Sequence, residues 1–185
     1  MLAAAVLVAA CGDAVGLATG RLRIYTIPSG AMENTLRVGD RVAVDTHAPL
    51  HRGSIVIFTG PPSWQATPNG HVQFVKRVIG VGGDHVVCCD RQGHVTVNGV
   101  ALVEPYIYPG VRASDVPFDV TVAAGRLWVM GDRRDASADS RIHLSDGQNG
   151  TVPRANVVGV VVKIVSPHSR ARPLPTPVYP GLSPR

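Results

Sequence analysis

The amino-acid sequence predicts an all-β fold, and three observations support that class. Glycine and proline are frequent, at 20 and 15 of 185 residues, as expected where many turns connect short strands. No apolar stripe with helical spacing continues beyond residue 20. Three runs are instead rich in β-branched residues and have the length of strands: 41–45, 54–58 and 157–162.

Turn signals separate the predicted strands along the chain. They consist of glycine, proline and aspartate: 39–40, 60–70 and 82–84. Asn98-Gly99 is a typical hairpin dipeptide and predicts a short strand on each side. Residues 104–125 are expected to form a loop, and Arg126–Met130 is an apolar strand that ends at Gly131-Asp132.

The N-terminal segment differs in composition from the rest of the chain. Residues 1–20 are almost continuously apolar or small, which is close to the roughly 20 residues that cross a bilayer, and they predict one apolar helix that anchors the chain. A cleaved secretory signal is an alternative, and a lipoprotein signal is another because Val8-Ala9-Ala10-Cys11 has the form of a lipobox. Asp13 weakens the anchor, and without Lys or Arg before Arg21 the orientation is not set by charge.

The C-terminal segment is rich in proline. Residues 166–185 contain six prolines and are predicted to form a disordered or extended tail that takes no part in the core.

Charge and cysteine content limit the classes of function. The net charge of +5 comes almost entirely from arginine, and no basic stripe is interleaved with aromatic residues. A nucleic-acid partner is therefore not expected, whereas a surface that faces anionic membrane lipid is. Adjacent Cys88 and Cys89 are expected to form neither a disulfide nor a redox centre. The seven histidines lack ligand spacing, so no metal site or other cofactor is expected.

Lys76 lies in a strand whose alternation is informative. Residues 72–79 alternate as a β-strand, and the face that carries Lys76 is otherwise apolar. A buried lysine without a counter-charge has a lowered pKa and can act as a general base. The alternative is an edge-strand lysine that extends its ammonium group to water. Arg77 points to the opposite face, where it is expected to reach solvent.

Three further segments, taken in order, carry a resemblance to a known family. Residues 27–36 with 38–42 resemble the nucleophile box of type I signal peptidases, 76–80 with 83–84 resemble their lysine box, and 131–141 resemble their C-terminal box. Asn98-Gly99 and Glu104-Pro105-Tyr106 are smaller similarities between these boxes. The chain is therefore identified as a member of this family over residues 24 to about 165.

The resemblance implies both a fold and an activity. The implied fold is a curved antiparallel β catalytic domain over residues 24–165, with a small β insert at about 84–124. The implied activity is removal of signal peptides from secretory precursor proteins after a small-x-small motif, by serine and lysine side chains. The implied location is the plasma membrane, with one membrane-spanning segment, the catalytic domain on the extracytoplasmic side and an apolar surface in contact with membrane lipid.

The resemblance also assigns roles to individual residues. Lys76 matches the general base, and Ser137 matches the serine that orients it. Five further positions match those that support the site: Gly131, Asp132, Arg134, Asp139 and Arg141. The family nucleophile is the serine before the methionine, but here Met32 follows Ala31. Ser29 matches a position whose hydroxyl helps to form the oxyanion hole.

Ala31 leaves three interpretations open. Ser29 is a candidate displaced nucleophile, although side chains two residues apart on an extended segment lie roughly 6.5 to 7 Å apart. The second interpretation is a catalytically inactive family member that binds exported chains at the membrane, and the third is an engineered serine-to-alanine change. The nearest enzymatic rival is a serine/lysine autoprotease of the repressor-cleaving type. An apolar leader stands here in place of a DNA-binding domain.

Overall fold

The computed structural model describes residues 20–64 and 72–183, which contain twelve β-strands and five short 3₁₀ helices. The strands are β1 (Leu22–Thr26), β2 (Arg41–Asp45), β3 (Ile55–Thr59), β4 (Gln73–Val81), β5 (His85–Cys88), β6 (Val95–Val97), β7 (Val100–Ala101), β8 (Phe118–Thr121), β9 (Arg126–Met130), β10 (Val152–Pro153), β11 (Val157–Ser166) and β12 (Arg172–Pro173). The 3₁₀ helices are Gly30–Met32, Pro62–Trp64, Ser140–His143, Arg154–Asn156 and His168–Arg170. The predicted all-β class is confirmed.

The predicted N-terminal helix and the lipobox fall on residues outside the described part of the chain. Among the residues that the structure does describe, no helix combines the length and the apolar character needed to span a membrane.

Eight antiparallel strands form the larger sheet. Its order is β1-β2-β11-β3-β4-β9-β10, and β12 pairs with β11. Alternate residues of β3 enter two different apolar clusters, Ile55 and Ile57 in one, Val56 and Phe58 in the other. Because successive side chains of a strand point to opposite faces, both faces of the sheet are covered at this point. The neighbouring strand β4 is accordingly buried from Val75 to Val81.

The smaller sheet lies between β4 and β9 in sequence. Its order is β7-β6-β5-β8, and all of its pairs are antiparallel. Asn98 and Gly99 connect β6 to β7 with φ values of 51° and 79°, which confirms the predicted tight hairpin. The expectation of a loop over 104–125 was wrong for Phe118–Thr121, where β8 alternates buried and exposed residues.

A single apolar cluster joins the two sheets. Trp128 and Met130 of the larger sheet pack in it with Val86 and Phe118 of the smaller one. Gly80 allows this close approach, since a Cβ there would lie 2.5 Å from a methyl group of Val86. The smaller sheet is therefore fixed to the end of β4 that follows Lys76.

Cys88 and Cys89 form a disulfide bond, at the point where β5 ends. The prediction that they are unbridged was wrong. It rested on the strain of the small ring that a disulfide between neighbouring cysteines closes, which makes such bridges rare but does not exclude them. In the structure the chain leaves the strand after Cys88 and turns through Asp90, whose carboxylate accepts hydrogen bonds from the backbone of Gln92 and His94.

Over residues 166–183 the proline-rich segment packs against the rest of the protein, so the expectation of a tail outside the core was also wrong. β12 pairs with β11, and Leu174 donates a backbone hydrogen bond to Val162. Tyr179 is 5% exposed and belongs to the apolar cluster that joins the two sheets. Proline restricts the unfolded chain and is compatible with an extended segment at a sheet edge, so a high proline content did not exclude packing.

Candidate active site

Two distant segments of the sequence meet where β9 ends. The 3₁₀ helix Gly30–Met32 carries Ala31, which is 7% exposed and whose carbonyl accepts a hydrogen bond of 3.1 Å from the backbone of Arg133. Gly131 makes this approach possible. A Cβ at that position would lie 2.3 Å from Ser137 Oγ and 2.5 Å from the carbonyl oxygen of Ala31. The contact therefore requires glycine.

Ser29 lies immediately before that helix and is exposed. Its backbone is extended, with φ −143° and ψ 162°. Ser29 and Lys76 both line a cavity of about 300 Å³. The other residues of its wall are mainly apolar: Tyr25, Thr26, Ile27, Pro28, Ile57, Gln73, Phe74 and Val75. A serine and a lysine thus line one mainly apolar cavity.

Lys76 lies in the middle of β4 and is 4% exposed. Burial lowers its pKa from the ordinary value of 10.5 to about 8. Asp139 and Asp132 act in the opposite direction by favouring the ammonium form, and Arg141 adds to the lowering. Lys76 is therefore ready to lose its proton close to neutral pH.

Asp139 acts on Lys76 through its charge and is hydrogen-bonded to the turn after β9. Its carboxylate accepts two hydrogen bonds of 2.8 Å from the Arg141 guanidinium and one of 2.9 Å from the backbone of Gly131. Burial alone would raise the pKa of Asp139, but these donors hold it below its usual value. Ser137 Oγ is buried and has no hydrogen bond of ordinary geometry to any residue that the structure describes, although it lies near enough to Asp139 to contribute to that lowering.

Arg77 points into the protein and not into solvent, so the expectation that it reaches water was wrong. It is 3% exposed and donates hydrogen bonds of 2.8 and 2.6 Å to Asp132. Asp132 also accepts a hydrogen bond of 2.5 Å from the hydroxyl of Thr35. Successive side chains of β4 point to opposite faces of the sheet, and both of these faces are buried. The ion pair with Asp132 compensates the charge of Arg77 and so makes its burial possible.

Arg134 forms a further buried ion pair, with Glu104. Its guanidinium lies 2.5 Å from the Glu104 carboxylate and also donates to the carbonyl of Gly131, at 2.9 Å. Glu104 accepts a second hydrogen bond, of 2.8 Å, from the hydroxyl of Tyr106. Arg77 stacks over the Tyr106 ring at 3.9 Å from its centre.

The residues predicted for the site fall into two groups in space. Ser29 and Lys76 line the cavity, and Ala31, Gly131 and Ser137 form the contact beside it. The four charged residues lie behind these in buried ion pairs: Asp132, Arg134, Asp139 and Arg141. Sequence reasoning missed the partners that neutralise two of them, Arg77 for Asp132 and Glu104 for Arg134. The Glu104-Pro105-Tyr106 similarity was the one available signal for Glu104.

Comparison with known proteins identifies the family to which the chain is similar. The sequence model of the family described as "Signal peptidase, peptidase S26" matches residues 1–166. A probable signal peptidase I of Mycobacterium leprae is 37% identical, over 80% of this chain and 70% of that protein. Signal peptidase I of Mycobacterium tuberculosis is 38% identical, over 80% of this chain and 66% of that protein. A crystal structure of a signal peptidase I from Enterococcus faecalis is 27% identical, covers 62% of this chain and 97% of that one, and has a TM-score of 0.46.

Proposed function

This chain belongs to the type I signal peptidase family, and from that membership we propose that it is a serine endopeptidase that removes signal peptides from exported precursor proteins. One observation carries the proposal. Lys76 is buried, its pKa is lowered to about 8, and it lines the same cavity as the exposed residue Ser29. A lysine that is easily deprotonated beside a hydroxyl group is the arrangement that nucleophilic catalysis by a serine/lysine pair needs.

The proposed reaction uses these two side chains in turn. Ser29 Oγ attacks the scissile carbonyl while neutral Lys76 takes the hydroxyl proton. The C–N bond then breaks, and Lys76 gives that proton to the leaving amine. Water, deprotonated by Lys76, next attacks the acyl carbon. The ester bond to Ser29 Oγ then breaks, Lys76 returns the proton to that oxygen, and the signal peptide leaves with a free carboxylate.

Ser29 is assigned as the nucleophile in place of Ala31 on chemical and spatial grounds. The Ala31 methyl group has no lone pair with which to attack a carbonyl, and this residue is buried. Ser29 is exposed at the cavity, two residues earlier on an extended backbone. Position 31 lies in the 3₁₀ helix Gly30–Met32 and Ser29 precedes that helix, so the substrate carbonyl would have to sit displaced from the place that a serine at position 31 would reach.

The proposed location follows from the family and from the sequence of residues 1–20. Type I signal peptidases are membrane-associated, and the family match includes the apolar N-terminal run. We infer a single-pass anchor in the plasma membrane, with the β-sheets on the extracytoplasmic side in contact with membrane lipid. Protease added to intact spheroplasts should digest the β-sheet domain. Complete protection of that domain would refute the orientation.

Cleavage of a synthetic precursor in lipid or detergent tests the proposed activity. The chain as it stands should cleave after a small-x-small site, Ser29→Ala should abolish cleavage, and Lys76→Met should abolish it as well. Because the reaction needs neutral Lys76, the rate should rise with pH through a pKa of about 8 and level off above it.

An Ala31→Ser variant separates the proposed reaction from the alternative. If only Ala31→Ser cleaves, the chain as it stands lacks its nucleophile, Ser29 is not catalytic, and the alternative function of binding exported chains without cutting them replaces the proposal. If Ala31→Ser cleaves and the unchanged chain also cleaves, Ser29→Ala in the unchanged chain decides the identity of the nucleophile.

A further inference from the structure

We propose that residues 170–183, named here the C-terminal strap, position the loop that carries Ser29 and Ala31, through Arg170 at one end and Tyr179 at the other. The inference rests on the proposed function, because it assigns positioning residues for that reaction. The strap follows residue 166, where the family match ends. Its role therefore comes from contacts in this chain and not from the matched boxes.

The first end of the strap holds the base of the active-site loop. The Arg170 guanidinium donates hydrogen bonds of 2.8 and 2.9 Å to the carboxylate of Asp40, which is 1% exposed. The backbone of Asp40 accepts a hydrogen bond from Ile27, and Ile27 in turn accepts one from Gly39, both of 2.9 Å. These bonds close the loop of residues 28–38, so Arg170 is attached at its neck.

The second end of the strap reaches the same loop through a buried chain of contacts. The hydroxyl groups of Tyr179 and Tyr106 are hydrogen-bonded at 2.7 Å, and both residues are buried. Arg77 stacks on the Tyr106 ring and also contacts the hydroxyl of Thr35, at 3.3 Å. Tyr179 thus supports the ring on which Arg77 rests.

Both ends of the strap therefore meet at Thr35, four residues after Ala31. Arg170 donates to the carbonyl oxygen of Thr35 at 3.3 Å, whereas Arg77 and Asp132 bind its hydroxyl group. The backbone and the side chain of one residue are thus held from two directions. A loop fixed in this way keeps Ser29 at a constant place relative to Lys76, and small displacements at such a site are costly to the rate.

The middle of the strap is attached well enough to transmit this support. Pro177 packs directly over Gly53, where a Cβ would lie 2.9 Å from the proline ring. Arg52 donates a hydrogen bond of 2.6 Å to the carbonyl of Ser183. The β12 pairing and Pro177 thus fix the segment between Arg170 and Tyr179, and the contact with Ser183 fixes the strap beyond Tyr179.

Two measurements on full-length variants test the proposal. Arg170→Ala should lower kcat roughly tenfold and change KM by less than about twofold, because the loop is displaced while the substrate groove remains. Arg170→Lys should recover part of the loss, since lysine keeps the charge on Asp40. Tyr179→Phe should lower kcat by a smaller factor. Val178→Ala is the matched control, because Val178 is 87% exposed on the same segment.

Hydrogen exchange supplies a readout that does not depend on cleavage. Arg170→Ala should speed exchange of the amides of residues 29–40 by roughly tenfold and leave β5 and β8 unchanged. Unchanged kcat and loop exchange in both Arg170→Ala and Tyr179→Phe would overturn the proposal, as would an equal acceleration across β5 and β8, which marks a merely structural role. If no variant cleaves at all, the proposed function fails, and loop exchange alone decides whether the strap positions the loop.

Discussion

Lys76 lies among groups that act on its proton in opposite directions. Burial favours the neutral amine and Arg141 adds to this, while Asp139 and Asp132 favour the ammonium form. With a pKa of about 8, roughly one-tenth of the molecules carry a neutral Lys76 at pH 7. The two carboxylates thus keep the pKa of Lys76 from falling further. Lys76 can therefore both accept a proton and return it near neutral pH.

The same lowered pKa predicts a measurable cost to stability. The unfolded chain has a lysine pKa of 10.5 and the folded chain one of about 8, so folding with a protonated Lys76 costs about 3 kcal/mol. Lys76→Met should therefore raise the free energy of unfolding by about 2 to 3 kcal/mol at pH 7.

The sign of the pH dependence distinguishes this explanation from better packing of methionine. Between pH 8 and 10.5 the unfolded chain binds more protons than the folded one, so the wild-type chain gains stability as pH rises. The advantage of Lys76→Met should shrink over that window. Urea unfolding from pH 7 to 10.5 measures the difference in the free energy of unfolding between Lys76→Met and the wild-type chain. Lys163→Met is the control for replacing a lysine by methionine. A difference that stays constant with pH would contradict the explanation.

Residues 76 and 77 illustrate what the sequence could and could not predict at this scale. Alternation along β4 placed Lys76 on an apolar face but left open an edge-strand lysine that reaches water, and the structure shows that Lys76 is buried. The same alternation assigned Arg77 to solvent, since that interpretation assumes that one face of the strand is exposed to water. That assumption fails for a strand paired on both sides and covered on both faces, and Asp132, the partner that compensates Arg77, lies 55 residues away.

At the scale of secondary-structure elements, the turn after β9 depends on Gly131. Its backbone amide donates to Asp139, its carbonyl accepts from Arg134, and its Cα faces Ala31 and Ser137 without room for a side chain. The turn therefore determines where the Gly30–Met32 helix lies.

Gly131→Ala should displace that helix. Its Cβ would meet Ser137 and the backbone of Ala31 at 2.3 to 2.5 Å, so we expect destabilisation by about 3 kcal/mol together with loss of cleavage. Thermal unfolding and the precursor assay measure the two effects. Gly110→Ala is the control, because no atom lies within 4 Å of its Cβ and only its φ of 80° is strained, at about 1 kcal/mol. Equal losses in the two variants would show that the contact at Gly131 is unimportant.

The elements that the sequence failed to predict share a physical cause. β8 has only four residues, and its alternation becomes visible as a strand only beside its partner β5. The proline-rich segment has no internal periodicity at all, and its order comes from Arg170, Tyr179 and the edge of β11. Long-range pairing decides both cases, whereas the long strands near Lys76 and Trp128 carry enough apolar residues to be recognised locally.

At the scale of the whole molecule, buried and partly buried arginine–carboxylate pairs connect parts of the chain that are far apart in sequence. Arg52 pairs with Asp84 across 32 residues, and Arg170 pairs with Asp40 across 130. The residues that form such pairs are visible in the sequence as charges, but the choice of partner follows from the fold. Asp84 lies at the turn between β4 and β5, so its pair also fixes the smaller sheet to the larger one.

Asp84→Asn should loosen that junction. Asp84 is fully buried and accepts hydrogen bonds from Arg52, from the backbone of Val81 and from Asn98. Removing one charge of a buried pair leaves Arg52 uncompensated, and we expect a loss of about 3 to 4 kcal/mol at pH 7. Asp119→Asn, which alters an exposed pair with His85, should change stability little.

The pH dependence of that loss follows from the pKa of Asp84. Burial alone would raise it, but the hydrogen bonds from Arg52, Val81 and Asn98 hold it below the ordinary value of 3.8. The carboxylate therefore contributes its full stability above about pH 4 and loses it as pH falls through the lowered pKa. The difference in the free energy of unfolding between wild type and Asp84→Asn should thus be constant from pH 7 to 5 and become smaller below about pH 4. Unfolding midpoints that run parallel down to pH 2.5 would show that Asp84 stabilises the junction by its shape and not by its charge.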